Sequence, residues 1–321
     1  MPTAILGAGA AGLSLAVLLR ERGESVTVFE RERTPGGLCR SRCIMDFTFD
    51  QGPHVLGGIP EAVEWIRVST GLTWETGRTR NRAWINGAFA QHPFEDPAQV
   101  TRYSRKLWKR DPSSLSRVRL GAQAGRKPGG VSEYAYPSQG GYGAITEAWA
   151  RRVDTALICG ASDPDLSGFD RVVSTIPVAQ LPYNSLITVS AGFTGIDPDF
   201  TALYIPGDET VFHRVSVPSN FASANAPIGL YSLQAEATCP GELAFSPDAY
   251  CQSALELFER LGHRDPLLLD AHVSPHAYPL PLDVDLEPSW QIRHGRTGSH
   301  KYLNLDGVVA ASMELADQLL A

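Results

Sequence analysis

The start of the chain alternates short apolar runs with glycine-rich breaks. Thr3 to Leu6 forms a compact stretch that predicts a buried strand, and Leu13 to Arg22 repeats its apolar positions with helical spacing. Gly23 ends the helix, after which Ser25 to Phe29 alternates as a second strand closed by Glu30. Because two parallel strands need a crossover between them, this pattern predicts a β-turn-α-β unit.

Further along, the pattern predicts helices and strands in mixed order. Helical periodicity is found in Glu61 to Gly71, Gly143 to Val153, Asp248 to Leu261 and Val308 to Leu320. Strand-like runs are found in Trp74 to Phe94, Asp170 to Ile176, Leu203 to Ala237 and Lys301 to Leu303, the last followed by a turn at Asp306-Gly307. Ser113 to Glu133 is expected to be an exposed connection. An α/β unit combined with an antiparallel sheet follows from this order.

Composition excludes several classes of protein. A formal net charge of -7 over 321 residues offers no basic face to a nucleic acid. Five cysteines without a C-x-x-C pair suggest neither a disulfide framework nor a zinc site, and reduced thiols fit a cytoplasmic protein. The apolar start lacks a preceding basic segment and is shorter than the ~20 residues of a membrane helix. We therefore expect a cytoplasmic enzyme of small molecules, without a metal, a nucleic-acid partner or a membrane span.

The break after the first strand carries the most specific motif, Gly7-Ala8-Gly9-Ala10-Ala11-Gly12. A strand feeding such a G-x-G-x-x-G turn brings a helix N-terminus, here with Ala10 and Ala11, to a pyrophosphate. Gly7 permits the tight turn, Gly9 clears the path of the pyrophosphate, and Gly12 lets helix and strand pack. Glu30 is placed to accept hydrogen bonds from a ribose diol. The motif alone does not separate NAD from FAD.

The residues after Glu30 favour FAD. The run Arg31-Glu32-Arg33-Thr34-Pro35-Gly36-Gly37-Leu38-Cys39-Arg40 resembles the Glu-then-Gly-Gly signature of glutathione-reductase-type FAD proteins, in the group of amine oxidases, protoporphyrinogen oxidases and UDP-galactopyranose mutases. The resemblance implies a Rossmann-like FAD-binding domain with a parallel sheet. It also implies that Gly36, Gly37 and Leu38 follow the diphosphate and ribityl chain, with Arg31 and Arg40 near the cofactor.

A second stretch resembles the flavin-contacting part of the same group. Phe49-Asp50-Gln51-Gly52-Pro53-His54-Val55 looks like the D-x-G-x-H segment beside the isoalloxazine ring, which implies that Pro53, His54 and Val55 lie at the flavin. His54 is the first catalytic candidate, with a structural histidine as the alternative.

The chain end resembles the closing segment of the mutase and its relatives. Gly295 to Asp306 matches G-R-x-x-x-x-x-Y-x-x-x-D. The resemblance implies that Arg296 and Tyr302, the other two catalytic candidates, hold a nucleotide diphosphate in a mutase. It also implies that the N-terminus of the last helix, with Asn304, Asp306, Gly307 and Val308, approaches the flavin and stabilises negative charge on the reduced ring.

A flavin carries out its own hydride chemistry, so few catalytic side chains are needed. The chain has one nucleotide-binding glycine motif and therefore no second domain for NADPH. The primary hypothesis is an FAD-dependent oxidase or dehydrogenase acting on an amine or alcohol carbon of a small molecule, such as an intermediate of sugar or antibiotic biosynthesis. The alternatives are a mutase-like isomerase, whose reduced flavin attacks a sugar carbon, and a non-catalytic FAD-binding relic. The aromatic Y-F pair that follows the mutase segment is missing after Pro177, which counts against the mutase.

The order of the matches predicts two interleaved domains. Residues 1–70, 136–180 and 282–321 are assigned to the FAD-binding domain, and 71–135 and 181–281 to a substrate domain with the antiparallel sheet. Arg214 in the substrate domain could pair with an anionic substrate or with Glu236, and both possibilities remain open.

Overall fold

Two β-sheets organise the protein in the computed structural model, which describes residues 1–93, 96–115, 133–241, 246–281, 286 and 289–321. One sheet has five strands and the other seven, and two two-stranded ribbons accompany them. This arrangement confirms the fold class predicted from the sequence, an α/β unit with a parallel sheet combined with an antiparallel sheet.

The strands are β1 (Thr3–Leu6), β2 (Val26–Glu30), β3 (Ser41–Ile44), β4 (Phe47–Asp50), β5 (Trp74–Arg78), β6 (Asn81–Ile85), β7 (Ala88–Gln91), β8 (Glu133–Pro137), β9 (Leu157–Cys159), β10 (Arg171–Ser174), β11 (Tyr183–Thr194), β12 (Ala202–Tyr204), β13 (Arg214–Ser216), β14 (Leu230–Pro240), β15 (Leu268–Pro279) and β16 (Ile292–Arg293). The helices are α1 (Ala10–Glu21), α2 (Pro60–Thr70), α3 (Pro97–Trp108), α4 (Gly143–Arg152), α5 (Pro247–Arg260), α6 (Gly295–Gly298) and α7 (Leu305–Leu320).

The five-stranded sheet is parallel, with the order β16-β10-β1-β2-β9. In its centre Thr3 of β1 lies opposite Val26 of β2 and Arg171 of β10. Helix α1 is buried on nearly all sides because α4 and α7 pack on it as well as the sheet. A buried hydroxyl pair, Ser14 and Ser312 at 2.9 Å, joins α1 to α7. The sheet and its helices form the first core of the molecule.

The seven-stranded sheet has the order β15-β11-β14-β13-β12-β6-β7. Its pairs are antiparallel except β12 and β6, which run parallel. Strand β11 is buried along nearly its whole length because it lies between two long strands, β14 and β15. Phe193 of β11 and Phe258 of α5 pack edge to face at 5.8 Å, so α5 helps to cover one face of this sheet.

The end of β4 connects the two parts of the molecule. The carboxylate of Asp50 accepts hydrogen bonds from the Ser41 hydroxyl (2.6 Å), the Tyr136 hydroxyl (2.8 Å) and the Tyr142 backbone N–H (2.9 Å). Its carbonyl accepts a hydrogen bond from Gln234 of the larger sheet at 2.9 Å. Burial raises the pKa of Asp50 from 3.8 to about 6, against the lowering effect of these hydrogen bonds.

Most predicted elements are confirmed within one to three residues. The first βαβ unit, the helices α2, α4 and α5, and the strand β10 lie where the pattern indicated. The long strands β11 and β15 were not predicted. Strands buried on both faces lack the alternation that identifies a half-buried strand, which explains the omission of β11.

Two predictions at the chain end are wrong. Lys301 to Leu303 is not a strand, and the proposed turn at Asp306-Gly307 lies inside α7, which begins at Leu305. Asn304 takes the N-cap position in extended conformation, so the helix starts before the apolar run that was used to predict it. Of the expected exposed connection between Ser113 and Glu133, residues 116–132 lie outside the described part of the chain.

Candidate active site

Two glycine loops meet after the ends of β1 and β2. The Gly36 N–H donates a hydrogen bond to the Ala8 carbonyl at 2.7 Å. A Cβ atom on Gly37 would lie 3.0 Å from the Cα atom of Gly9, so a side chain there would press on the opposite backbone. Gly36 also has a φ of +115°, a conformation that favours glycine. The glycines therefore let two backbone segments approach each other and leave their surface open.

Helix α1 begins at the first loop without a side-chain cap at Gly9. The first N–H groups of an α-helix have no intrahelical partner, and an anion at the helix start satisfies them. A Cβ atom on Gly12 would collide with the Gly7 carbonyl oxygen, which confirms the need for glycine where helix and turn pack. This helix start fits the pyrophosphate of a dinucleotide.

Glu30 is fixed at the edge of the same loops. Its carboxylate accepts hydrogen bonds from the N–H groups of Ala8 (2.7 Å) and Glu32 (2.9 Å). Each carboxylate oxygen can accept further bonds, so capacity for a ribose diol remains. The neighbouring strand β9 pairs with β2, and Ala161 after it donates to the Glu30 carbonyl at 2.9 Å. Sequence reasoning missed β9, whose only signal was the apolar pair Leu157-Ile158 after a helix.

His54 follows β4 and faces the cavity that the two loops open. Its ring stacks on Tyr142 at 5.1 Å between centroids, and its Nδ1 atom is buried without a hydrogen-bond partner among the described residues. Burial, together with the positive charges of Arg296 and Arg214, lowers the pKa of His54 from 6.5 to about 3. The imidazole is therefore neutral around pH 7. It can offer a hydrogen bond to a ligand but no charge.

Arg296 lies on α6 among aromatic rings. Its guanidinium is 4.3 Å from the Tyr302 ring centroid and 5.2 Å from that of Tyr278, a cation–π arrangement. The two tyrosine rings are stacked at 5.8 Å, and Trp108 meets both edge to face. In the described part of the chain, the Nε atom of Arg296 has no hydrogen-bond partner and no carboxylate forms an ion pair with this residue. The guanidinium is thus available to an anion.

Arg214 differs from Arg296 because it is already paired. Its Nε and Nη2 atoms donate to the two oxygens of Glu236 at 2.7 and 2.8 Å, and the Glu236 side chain is 0% exposed. Of the two possibilities left open by the sequence, the structure shows the ion pair with Glu236.

One cavity of about 2090 Å³ connects these groups. It is lined by the sequence-predicted residues Gly7, Gly9, Ala10, Ala11, Glu30, Arg31, Gly37, Leu38, Arg40, Pro53, His54, Val55, Arg296, Tyr302, Asn304, Asp306, Gly307 and Val308. Gly12 and Gly36 belong to the same glycine-rich segments but do not line the cavity. The start of α7 at Asn304, which also lacks a side-chain cap, opens on this cavity. Sequence reasoning missed Tyr278, Trp108 and Tyr103, which also line it.

The described residues contain neither a metal-binding cluster nor a membrane-spanning helix. Within them no cluster of His, Cys, Asp or Glu side chains could hold a metal ion. No helix in the same ranges is long and apolar enough to cross a membrane.

Comparison with known sequences identifies the N-terminal part. The family of NAD(P)-binding Rossmann-like domains matches residues 5–68. The lycopene-forming phytoene desaturase of Pantoea ananas is 32% identical over 133 residues, a match that covers 34% of this chain and 27% of the desaturase. The chain therefore spans about a quarter of the curated relative that it matches.

Comparison with solved structures covers the whole chain. A reduced UDP-galactopyranose mutase superimposes with a TM-score of 0.87 and 19% identity, covering 99% of this chain and 95% of the mutase. Cyclohexylamine oxidase from Brevibacterium oxydans IH-35A gives a TM-score of 0.70 and 13% identity, covering 100% of this chain and 99% of the oxidase. The fold is the one shared by the mutase and the amine oxidase, as the sequence predicted.

Proposed function

We propose that this chain, which has the fold of the FAD-dependent amine oxidase-like group, is an FAD-dependent oxidase or dehydrogenase. Its substrate would be a small molecule with an oxidisable amine or alcohol carbon and an anionic group. The observation that carries the proposal is the single cavity that extends from the glycine loops to the unpaired guanidinium of Arg296. Bound FAD would supply the hydride transfer, so the protein has to bind and orient the substrate.

The starts of the two helices α1 and α7 would suit the two ends of the cofactor. The uncapped start of α1, with Gly9 bare of a side chain, suits the pyrophosphate, and Glu30 suits the adjacent ribose. The uncapped start of α7 suits the flavin end, because the positive end of a helix dipole stabilises negative charge. This assignment places the flavin between His54 and the start of α7.

Three side chains would orient the substrate beside the flavin. Arg296 would bind an anionic group, since it is a cation without a counterion among the described residues. Tyr302 would hold that guanidinium in place through its ring, 4.3 Å away. His54, neutral and with a free Nδ1 atom, would hydrogen-bond the flavin or the substrate without adding charge.

The test is anaerobic reduction of the purified, FAD-loaded protein. Amines and alcohols are offered in matched pairs, with and without a carboxylate or phosphate group. We expect the visible flavin bands to bleach with an anionic member of the panel. Arg296→Met should raise the concentration needed for reduction by about 10- to 100-fold, the loss of one or two charge-assisted hydrogen bonds. Arg264→Met, at an exposed position, serves as the control.

A second candidate function is isomerisation of a nucleotide sugar. The observation that favours it is the superposition of the whole chain on the mutase, together with an anion site at Arg296. The same protein, reduced with dithionite, is incubated with UDP-galactopyranose and the products are separated chromatographically. Conversion without net consumption of reductant would establish the isomerase and reject the oxidoreductase. A protein that binds FAD and passes neither test would be a non-catalytic flavoprotein.

A further inference from the structure

His213 is a buried histidine that lines the cavity and that the chemistry proposed above does not use. Its side chain is 1% exposed, and neither ring nitrogen has a hydrogen-bond partner among the described residues. A neutral imidazole carries one donor and one acceptor, and a buried polar group left without a partner destabilises the protein. Because His213 lines the cavity, a ligand is the partner that could satisfy it.

Two of the three cations that act on His213 have partners in the structure, and Lys109 is the third. Arg214 is held by Glu236, and the Lys106 ammonium donates to the carbonyl oxygens of Ile205 (3.2 Å) and Gly207 (2.5 Å). Burial lowers the pKa of His213 well below 6.5, and the charges of Arg214 and Lys106 lower it further, so the ring is neutral. The His213 ring can therefore offer a ligand hydrogen bonds without a charge of its own, in contrast to the guanidinium of Arg296.

Aromatic rings complete the wall. His92 stacks on Tyr204 with ring centroids 3.9 Å apart and an interplanar angle of 17°. Tyr103 lies 5.6 Å from Tyr204 and meets His213 edge to face at 5.9 Å. All four rings line the cavity. Such a wall favours a flat or ring-shaped group, because stacked and edge-on rings are energetically preferred arrangements.

We propose that this end of the cavity is a recognition subsite for an uncharged, ring-bearing part of the substrate, whose carboxamide or hydroxyl group donates and accepts hydrogen bonds at His213. The inference rests on the proposed function, since the substrate occupies the same cavity with its anionic group at Arg296. His213 then determines which substrates bind and takes no part in the chemical step. The two ends of the substrate are distinguished by charge: anionic at Arg296 and neutral at His213.

Two probes with the same ring test the hydrogen bonds at His213. The FAD-loaded protein is titrated with benzamide and with toluene, and binding is followed by saturation-transfer NMR. Benzamide should bind more tightly than toluene. His213→Phe, which keeps a ring but removes both nitrogens, should weaken benzamide about tenfold and leave toluene unchanged. His213→Gln, which keeps a donor and an acceptor, should retain benzamide within about threefold.

The matched control is His263→Phe. His263 pairs with the Tyr231 hydroxyl at 2.7 Å and does not belong to the cavity wall, so benzamide affinity should not change. The inference is overturned if benzamide and toluene bind equally to the wild type, if benzamide does not bind, or if His213→Phe binds benzamide as the wild type does. Benzamide binding that depends on His213 in a protein that no amine or alcohol reduces would reject the oxidoreductase and leave the subsite in place.

Discussion

The two ends of the cavity are built from different parts of the polypeptide. At the dinucleotide end the surface is mostly backbone: two glycine loops in contact and the uncapped start of α1. At the substrate end it is mostly side chains, with the unpaired Arg296, the stacked tyrosines Tyr278 and Tyr302, and the buried Arg214–Glu236 pair. Binding at the dinucleotide end therefore depends on glycines without side chains, and binding at the substrate end depends on side chains held in position.

This difference has a physical consequence for mutations. A binding site formed by backbone loses affinity when a side chain is added. Stability is unaffected if the new atoms enter only the space of the ligand. A site of buried charges and rings fails when a side chain is removed, and the loss extends to the fold, because a buried charge without its partner destabilises the native state. Four measurements test this contrast, in order of expected effect.

The largest effect is expected at the buried ion pair of the substrate end. Glu236→Ala leaves the mostly buried Arg214 without its counterion and should lower the free energy of unfolding by about 3–5 kcal/mol. Urea denaturation followed by circular dichroism measures this.

Two controls accompany Glu236→Ala. The double variant Arg214→Met/Glu236→Leu should recover most of the loss, since it removes both charges. Glu133→Ala breaks the exposed pair with Arg78 and should cost less than about 1 kcal/mol. A loss at Glu236 no larger than that at Glu133 would contradict the assigned role of the pair.

The next effect is a pH dependence at Asp50, which connects the two parts of the molecule. Its pKa in the folded protein is raised from 3.8 to about 6 by burial, so the stability it contributes when protonated is fully present below pH 3.8 and is lost as the pH rises through 6. Relative to Asp50→Asn, the wild type should lose roughly 3 kcal/mol of unfolding free energy across this window.

Denaturation curves between pH 3.5 and about 7.5, at constant ionic strength, measure the Asp50 effect. The exposed Asp46→Asn, at a positive φ that asparagine tolerates, is the control and should follow the wild type. Parallel pH profiles for wild type and Asp50→Asn would show that Asp50 is not buried in the way the structure describes.

At the dinucleotide end, Gly9→Val should weaken FAD binding by about 100-fold or more while changing stability little. A Cβ atom at Gly9 meets only the Gly37 Cα at 3.8 Å, so the folded protein has room for the side chain. The same side chain would occupy the space of the pyrophosphate. Gly12→Ala, whose Cβ collides with the Gly7 carbonyl, should instead lower stability by about 1–3 kcal/mol. Fluorescence titration with FAD and thermal unfolding separate the two. Unchanged FAD affinity in Gly9→Val would reject the pyrophosphate site.

The smallest effect is expected at Glu30, an acidic side chain at the dinucleotide end. Glu30→Ala removes the acceptor for the ribose diol and should weaken FAD about tenfold. Because Glu30 also holds the N–H groups of Ala8 and Glu32, a small loss of stability should accompany it. If FAD affinity stays at the wild-type level, the ribose is bound elsewhere.

The parts that could be predicted from the sequence are those with local causes. Gly7, Gly9 and Gly12 are required by the geometry of one turn, and Gly36 and Gly37 by the backbone that approaches it, so their spacing can be recognised without any tertiary contact. The same holds for the amphipathic helices α2 and α5. Strand β11 escaped detection because its burial depends on β14 and β15, which are distant in sequence.

By itself, therefore, the sequence determined the α/β fold and the two glycine loops, because backbone conformation is set within a few residues. Only the tertiary structure decided that Arg214 is engaged by Glu236 while Arg296 is unpaired, and that Arg296 lies over Tyr278, whose ring packs on Trp108. Both arginines are equally charged in the sequence. Which of them is free for a ligand depends on the strand register that places Arg214 opposite Glu236, and that register is a property of the whole sheet.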